Sequence, residues 1–195
     1  MRRRRQGRSY IEREPAIDLN IVREVVYYII STFIAVLVAV VVVRCFGLRI
    51  RMTGASMEPL LIDGQSVLVD RMHYRIASIE PGDVIVFYPG GNEDAHPFVK
   101  RVAAGPGQTV QITDGTLLID GVPAPGAENY DKIEDPGLAK NPVTLGEDEY
   151  FVLGDNRNNS EDSRSAGIGN VSGGDVIGRA WLSLPAGQAG VSRIH

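Results

Sequence analysis

Residues Val25 to Val43 read VVYYIISTFIAVLVAVVVV, a run of 19 positions without a charge. As a helix rising about 1.5 Å per residue it spans roughly 28 Å, close to the ~30 Å hydrocarbon core of a bilayer. A helix buried in a protein core would show a polar stripe at 3.6-residue spacing. Here Ser31 and Thr32 are the polar positions, with Tyr27 and Tyr28 near one interface. A cleaved secretory signal also begins Arg-rich and continues apolar. This run is too long for one, and Arg44-Cys45-Phe46 supplies no small-x-small site behind it. Arg44 also stands where a lipid-modified Cys45 would need a small residue. The sequence therefore predicts an uncleaved transmembrane anchor over 25–43.

Outward from the anchor the chain is electrically lopsided. Residues 1–24 carry seven Arg against four acids, whereas 47–195 carry 12 Lys and Arg against 20 acids. The first segment reads as a basic cytoplasmic tail, with residues 1–20 polar, non-periodic and disordered. Charges close to the two helix ends nearly balance. Arg2, Arg3 and Arg4 tip the bias, so the tail is expected inside the cell membrane and the domain outside, in a single pass. An acidic domain with no clustered basic face argues against nucleic acid, whose phosphates require a dense array of Lys and Arg. Cys45 is the single cysteine, so no internal disulfide holds the fold.

Residues 47–195 are sufficient for one domain. Short Val- and Ile-rich runs separated by Gly and Pro predict a mainly β architecture, an all-β ectodomain following the one N-terminal helix. Strands are expected near Leu48–Met52, Ser66–Met72, Asp83–Tyr88, Pro97–Ala103, Thr109–Thr113, Thr116–Ile119, Glu149–Leu153 and Val176–Leu184. Asp114-Gly115 between two of these is a hairpin signal. Gly121–Gly146, rich in Pro, Gly and acid, reads as an insertion or a flexible excursion.

Three segments carry candidate chemistry. Ser56 follows Gly54-Ala55 and precedes Met57-Glu58-Pro59, where the backbone can turn sharply and expose both a hydroxyl and its own amide. Taken alone, that short pattern more often marks an ordinary turn serine. A serine nucleophile needs a base, and the histidines, His73, His96 and His195, are poorly placed in the sequence to serve. Lys100 lies in Pro97-Phe98-Val99-Lys100-Arg101-Val102, where strand alternation puts it on the face of Phe98 and Val102. A lysine there loses hydration, which lowers its pKa and lets the neutral amine accept a proton. The alternative is a surface lysine whose stem lies on the core while its head reaches water. The third segment runs Gly154-Asp155-Asn156-Arg157-Asn158-Asn159-Ser160-Glu161-Asp162-Ser163-Arg164, a loop dense in side chains that hydrogen-bond local backbone. Its alternating Asp and Asn could ligate Ca²⁺, but it lacks the Gly and terminal Glu of an EF-hand, so no metal is expected.

Together these segments resemble bacterial type I signal peptidase, the membrane-anchored Ser/Lys protease family that removes signal peptides from exported proteins. The resemblance rests on four boxes in the family's order: Ser56-Met57-Glu58-Pro59-Leu60, Pro81 to Phe87, Lys100-Arg101-Val102 through Pro106-Gly107, and Gly154-Asp155-Asn156-Arg157 through Ser160, Asp162, Ser163 and Arg164. It implies that Ser56 is the nucleophile and Lys100 the general base, with Ser160 orienting the lysine ammonium. Asp162 and Arg164 would form a supporting ion pair, and the Ser56 backbone amide would stabilise the oxyanion. Some family members carry a serine two residues before the nucleophile, where this chain has Gly54. Ala104-Gly105 and Gln108 are further departures. The resemblance also implies an all-β catalytic core that pairs with an extended substrate, and cleavage through an acyl-enzyme after small-x-small (Ala-x-Ala) sites. Shallow pockets would be lined by Met52, Leu61, Phe98 and Val99, with neither metal nor organic cofactor. Implied partners are secretory preproteins, membrane lipid and the protein-export machinery, at the cell (plasma) membrane.

Other readings are a pilin-transfer peptidase, a self-cleaving repressor-type peptidase, or a membrane-tethered β scaffold that binds exported peptides without cutting them. The anchor, with no separate DNA-binding unit, argues against the repressor type.

Overall fold

A continuous helix, α1, runs from Leu19 to Phe46 and so extends beyond the apolar run at both ends. Once nucleated, a helix propagates cheaply through residues such as Arg23 and Glu24, which is why the expected tail gives way to helix before residue 25. Its large apolar side chains from Leu19 to Val43 are all exposed, with nothing among the described residues covering them. By length and composition it can cross a membrane. The computed structural model describes residues 19–72, 77–184 and 191–194; the tail before Leu19, His73 and His195 lie outside the described residues.

The unit from Val42 onward is a set of antiparallel strands in two sheets. The larger comprises β1 (Leu48–Arg51), β2 (Ser66–Asp70), β3 (Val84–Phe87), β4 (Phe98–Ala104), β9 (Glu149–Leu153), β10 (Val171–Ser172), β11 (Val176–Leu184) and β12 (Ser192–Arg193). They run in the order β1-β2-β11-β3-β4-β9-β10, with β12 beside β11. The smaller comprises β5 (Thr109–Thr113), β6 (Thr116–Ile119), β7 (Val122–Pro123) and β8 (Val143–Thr144), ordered β7-β6-β5-β8. All eight expected strands form, within a residue or two of their expected ends. Four two-residue strands were not expected, because pairs that short carry no periodicity to read.

Asp114-Gly115 makes the expected hairpin, Thr113 opposing Thr116, with Asp114 at φ 53°. Asp120-Gly121 repeats it between β6 and β7, with Asp120 at φ 52° and Ile119 opposing Val122. That second Asp-Gly signal straddles the start of the segment read as an insertion or flexible excursion, Gly121–Gly146.

Both faces of β3 are covered. Val84 and Val86 pack in a core with Met52, Met57, Leu61, Val67, Val69 and Val99, while Ile85 and Phe87 join Val102, Tyr150, Val152 and Val171. This explains why the strand reads VIVF without alternation. A third core gathers Val110, Ile112, Leu117, Phe151 and Leu153 with Ala124, Ile133, Ala139 and Leu145. The last four belong to Gly121–Gly146, which is therefore packed rather than a flexible excursion. Its apolar residues are too sparse for periodicity, yet each finds a place in that core, and 3-10 turns at Ala127–Asn129 and Gly137–Lys140 compact the chain between them.

Candidate active site

Ser56 begins a tight turn leaving β1, held at several points. Gly54, at φ 83°, donates its N–H to Asp63 Oδ1 at 2.9 Å, and Leu61 N–H reaches Met57 O at 2.8 Å. Met57 and Leu61 are thereby driven into the core beneath, leaving the Ser56 hydroxyl directed away from it. From across the domain, Asn156 donates its N–H to Ser56 O at 3.1 Å and its side-chain amide to Ala55 O at 3.2 Å. Among the described residues the Ser56 N–H donates to nothing.

Lys100 comes from the middle of β4, paired with Ile85 of β3. It is 5% exposed. Its Nζ lies 2.8 Å from Ser56 Oγ and 5.3 Å from the centroid of the Phe98 ring. Burial lowers the amine from its ordinary 10.5 to about 8, while the charges of Asp162 and Glu161 pull the other way. Desolvation outweighs both carboxylates, so a large neutral fraction exists at mildly alkaline pH.

The loop 154–164 surrounds this pair. Asp162, fully buried, accepts Arg164 Nε at 2.8 Å and Nη2 at 2.9 Å on its two oxygens and Gly154 N–H at 3.1 Å. Arg164 continues outward to the carbonyls of Arg157 and Asp135, and Leu138 N–H returns to Arg164 O at 2.9 Å. Asn158 adds bonds to Glu134 and Lys132. The loop is thus stitched to the 121–146 segment. Gly154 is required by close approach: a β-carbon there would collide with the Ser160 side chain and with Ser56 O. Ser160 Oγ itself is buried without a hydrogen-bond partner, so it sits beside the Ser56 turn but makes no bond to the Lys100 amine.

Two arginine clamps were not anticipated. Arg101, next to Lys100, holds both oxygens of Asp155 at 2.7 Å and Gly82 O at 2.7 Å. Arg179 on β11 pairs with Asp83 at 3.1 Å. The sequence shows these residues as charges, but only strand order brings them together.

An open groove of about 700 Å³ contains Ser56 and Lys100. Met52, Phe98 and Val99 line it, together with Ile50, Thr53, His96 and Glu161, which sequence reasoning did not select. Leu61 does not line it. The turn that exposes Ser56 points Leu61 into the core, so its candidacy as a wall residue is corrected to a supporting one. Among the described residues no group of three or more His, Cys, Asp or Glu is placed to hold a metal ion.

A hydroxyl within hydrogen-bond reach of a desolvated amine, in a groove wide enough for an extended chain, suits acyl transfer. The family model described as "Signal peptidase, peptidase S26" matches residues 25–184, anchor and β domain together. The chain belongs to the signal peptidase family, peptidase S26. It is 32% identical over 161 residues to signal peptidase I T of Bacillus subtilis, covering 74% of this chain and 77% of that one. Signal peptidase I of Bacillus amyloliquefaciens is 34% identical over 141 residues, covering 64% of this chain and 67% of its own. Signal peptidase IB of Staphylococcus aureus is 30% identical over 161 residues, covering 75% and 83%. These relatives place it with the bacterial type I signal peptidases. Every signal peptidase box quoted from the sequence lies inside the matched residues.

Proposed function

We propose that this chain is a membrane-anchored serine endopeptidase that removes signal peptides from exported preproteins, with Ser56 as nucleophile and Lys100 as general base. The observation that carries this reading is the 2.8 Å approach of Lys100 Nζ to Ser56 Oγ inside the groove. Neutral Lys100 accepts the Ser56 proton as Oγ bonds to the scissile carbonyl carbon, and the tetrahedral oxyanion receives the unengaged Ser56 N–H. The Lys100 ammonium then protonates the departing amine as the C–N bond breaks, leaving an acyl-enzyme. Water, deprotonated by the same amine, attacks the ester and restores Ser56. Asp162 and Arg164 fix the loop beside this pair, and Ser160 shifts to meet the ammonium once it forms. Met52, Phe98 and Val99 accept small side chains flanking the cut, which favours Ala-x-Ala sites. The Arg-rich N-terminus lies on the cytoplasmic side of the plasma membrane and the β domain on the outer side. Membrane lipid and the protein-export machinery are its neighbours there.

The test is cleavage of an exported precursor bearing an Ala-x-Ala site by the detergent-purified full chain, read by mass spectrometry. A single cut after the second Ala supports the reading; no cut by folded protein overturns it.

The pH dependence has a defined sign. The working form is the neutral amine, so kcat/KM should rise with a midpoint at about 8 rather than at 10.5. The Glu161 charge holds that midpoint up, and Glu161 is exposed on the groove wall. Glu161→Gln should therefore move the midpoint to lower pH without loss of stability. A midpoint that shifts upward, or stays fixed, would count against Lys100 as the titrating base.

A further inference from the structure

A second cavity, of about 530 Å³, shares no lining residue with the Ser56 groove. Its apolar walls include Val102, Leu117, Ile119 and Pro123, and its polar end holds Arg101 and Arg157. Phe98, Val99 and Lys100 of β4 line the Ser56 groove, whereas Arg101, Val102 and Ala103 further along the same strand line this cavity.

The charges at the polar end do not match. Arg101 occupies both oxygens of Asp155, and Arg164 occupies both oxygens of Asp162. Arg157, the third guanidinium, is 6% exposed and makes no ion pair among the described residues. The centroid of the Tyr130 ring lies 3.8 Å from its guanidinium carbon, and the Arg157 Nε is buried without a hydrogen-bond partner. Burial pushes this guanidinium below its ordinary pKa and outweighs the support it receives from Tyr130 and from the charge of Asp155, whose two oxygens Arg101 already holds. Asp120, also on the wall, has Oδ1 engaged by the Thr109 N–H.

We propose that this cavity binds a small monocarboxylate with a short apolar body, the carboxylate docking on Arg157 and the body lying against Leu117, Ile119 and Pro123. A guanidinium fork matches a planar carboxylate. One unmatched cation, with Asp120 nearby, suits a single negative charge better than a phosphate dianion. The volume lies within the range of small-molecule sites, a few hundred to about 1,000 Å³.

Calorimetric titration of the detergent-purified full chain with hexanoate tests this, with hexanol lacking the charge and acetate lacking the body. Binding is read directly, so the outcome is independent of whether the groove cleaves precursors. Hexanoate should saturate one site, with hexanol and acetate at least about tenfold weaker, as loss of a charged hydrogen bond or of the apolar contact implies. Arg157→Gln should weaken hexanoate by a similar factor. Because Arg157 also stacks on Tyr130, that variant can fail to fold, and Val122→Glu supplies the second arm. Val122 lines the cavity and is exposed, and a carboxylate there either fills or repels the site. Val122→Glu should lose hexanoate binding while cleaving a precursor at the wild-type rate. Hexanol binding as tightly as hexanoate, no saturable heat, or unchanged affinity in Val122→Glu would each overturn the proposal.

Discussion

Lys100→Met and Ser56→Ala are each expected to reduce precursor cleavage by at least about 10⁴-fold, because the proposed nucleophile and base would act as one unit and removing either would leave only binding and oxyanion contacts. The two variants should differ in stability. The Lys100 amine titrates near 8 when folded and near 10.5 when unfolded. Below pH 8 both states carry the proton, so the native state bears the full cost of the buried charge. Between the two values the native amine is neutral while the unfolded one remains charged, and the cost fades; above 10.5 it is gone. At pH 7 that cost is about 3 kcal/mol at 1.36 kcal/mol per pH unit. A methionine of similar length removes it, so Lys100→Met should melt roughly 6–12 °C higher at pH 7, with the gain vanishing at strongly alkaline pH. Ser56→Ala should leave the melting temperature nearly unchanged. Thermal unfolding across pH, alongside mass-spectrometric cleavage assays, checks both. A Lys100→Met protein that is inactive and also destabilised at pH 7 would show that the amine is a structural ion and not a desolvated base.

Asp162→Asn is expected to destabilise the domain by about 3–5 kcal/mol, the cost typical of leaving one partner of a buried ion pair uncompensated. Asp162 is wholly buried, with Arg164 on both oxygens and Gly154 N–H alongside. Its loss frees Gly154, whose backbone fits against Ser56 O and the Ser160 side chain. Activity should fall with stability, because the turn bearing Ser56 loses its support. Replacing both partners, Asp162→Leu with Arg164→Met, should recover much of the stability, since no unpaired charge remains. Denaturant unfolding of the single and double variants measures this. If the single change costs less than about 1 kcal/mol, on the scale of an exposed pair, the ion pair is not a support of the loop.

The strand pattern was legible because alternating or unbroken Val- and Ile-rich runs, bounded by Gly and Pro, have few other solutions. The same held for Asp114-Gly115, whose turn chemistry is local. Gly121–Gly146 was misread for a physical reason. Ala124, Ile133, Ala139 and Leu145 are isolated apolar residues in polar surroundings, and their shared core exists only once β5, β6 and β9 have assembled. Leu61 was misplaced because a turn, rather than a period, decides which way it points.

By itself the sequence determined the apolar anchor run, a mainly β domain and the residue types of the site, because hydrophobic length, periodicity and the four boxes are local properties of the chain. Tertiary structure alone decided that Ser56 and Lys100, 44 residues apart, meet at 2.8 Å, and that Arg101 takes Asp155 while Arg157 takes no carboxylate among the described residues. Those pairings depend on strand order and register, which bring distant positions to one face. The lowered Lys100 pKa depends on burial, a property of the packed domain that no single segment possesses.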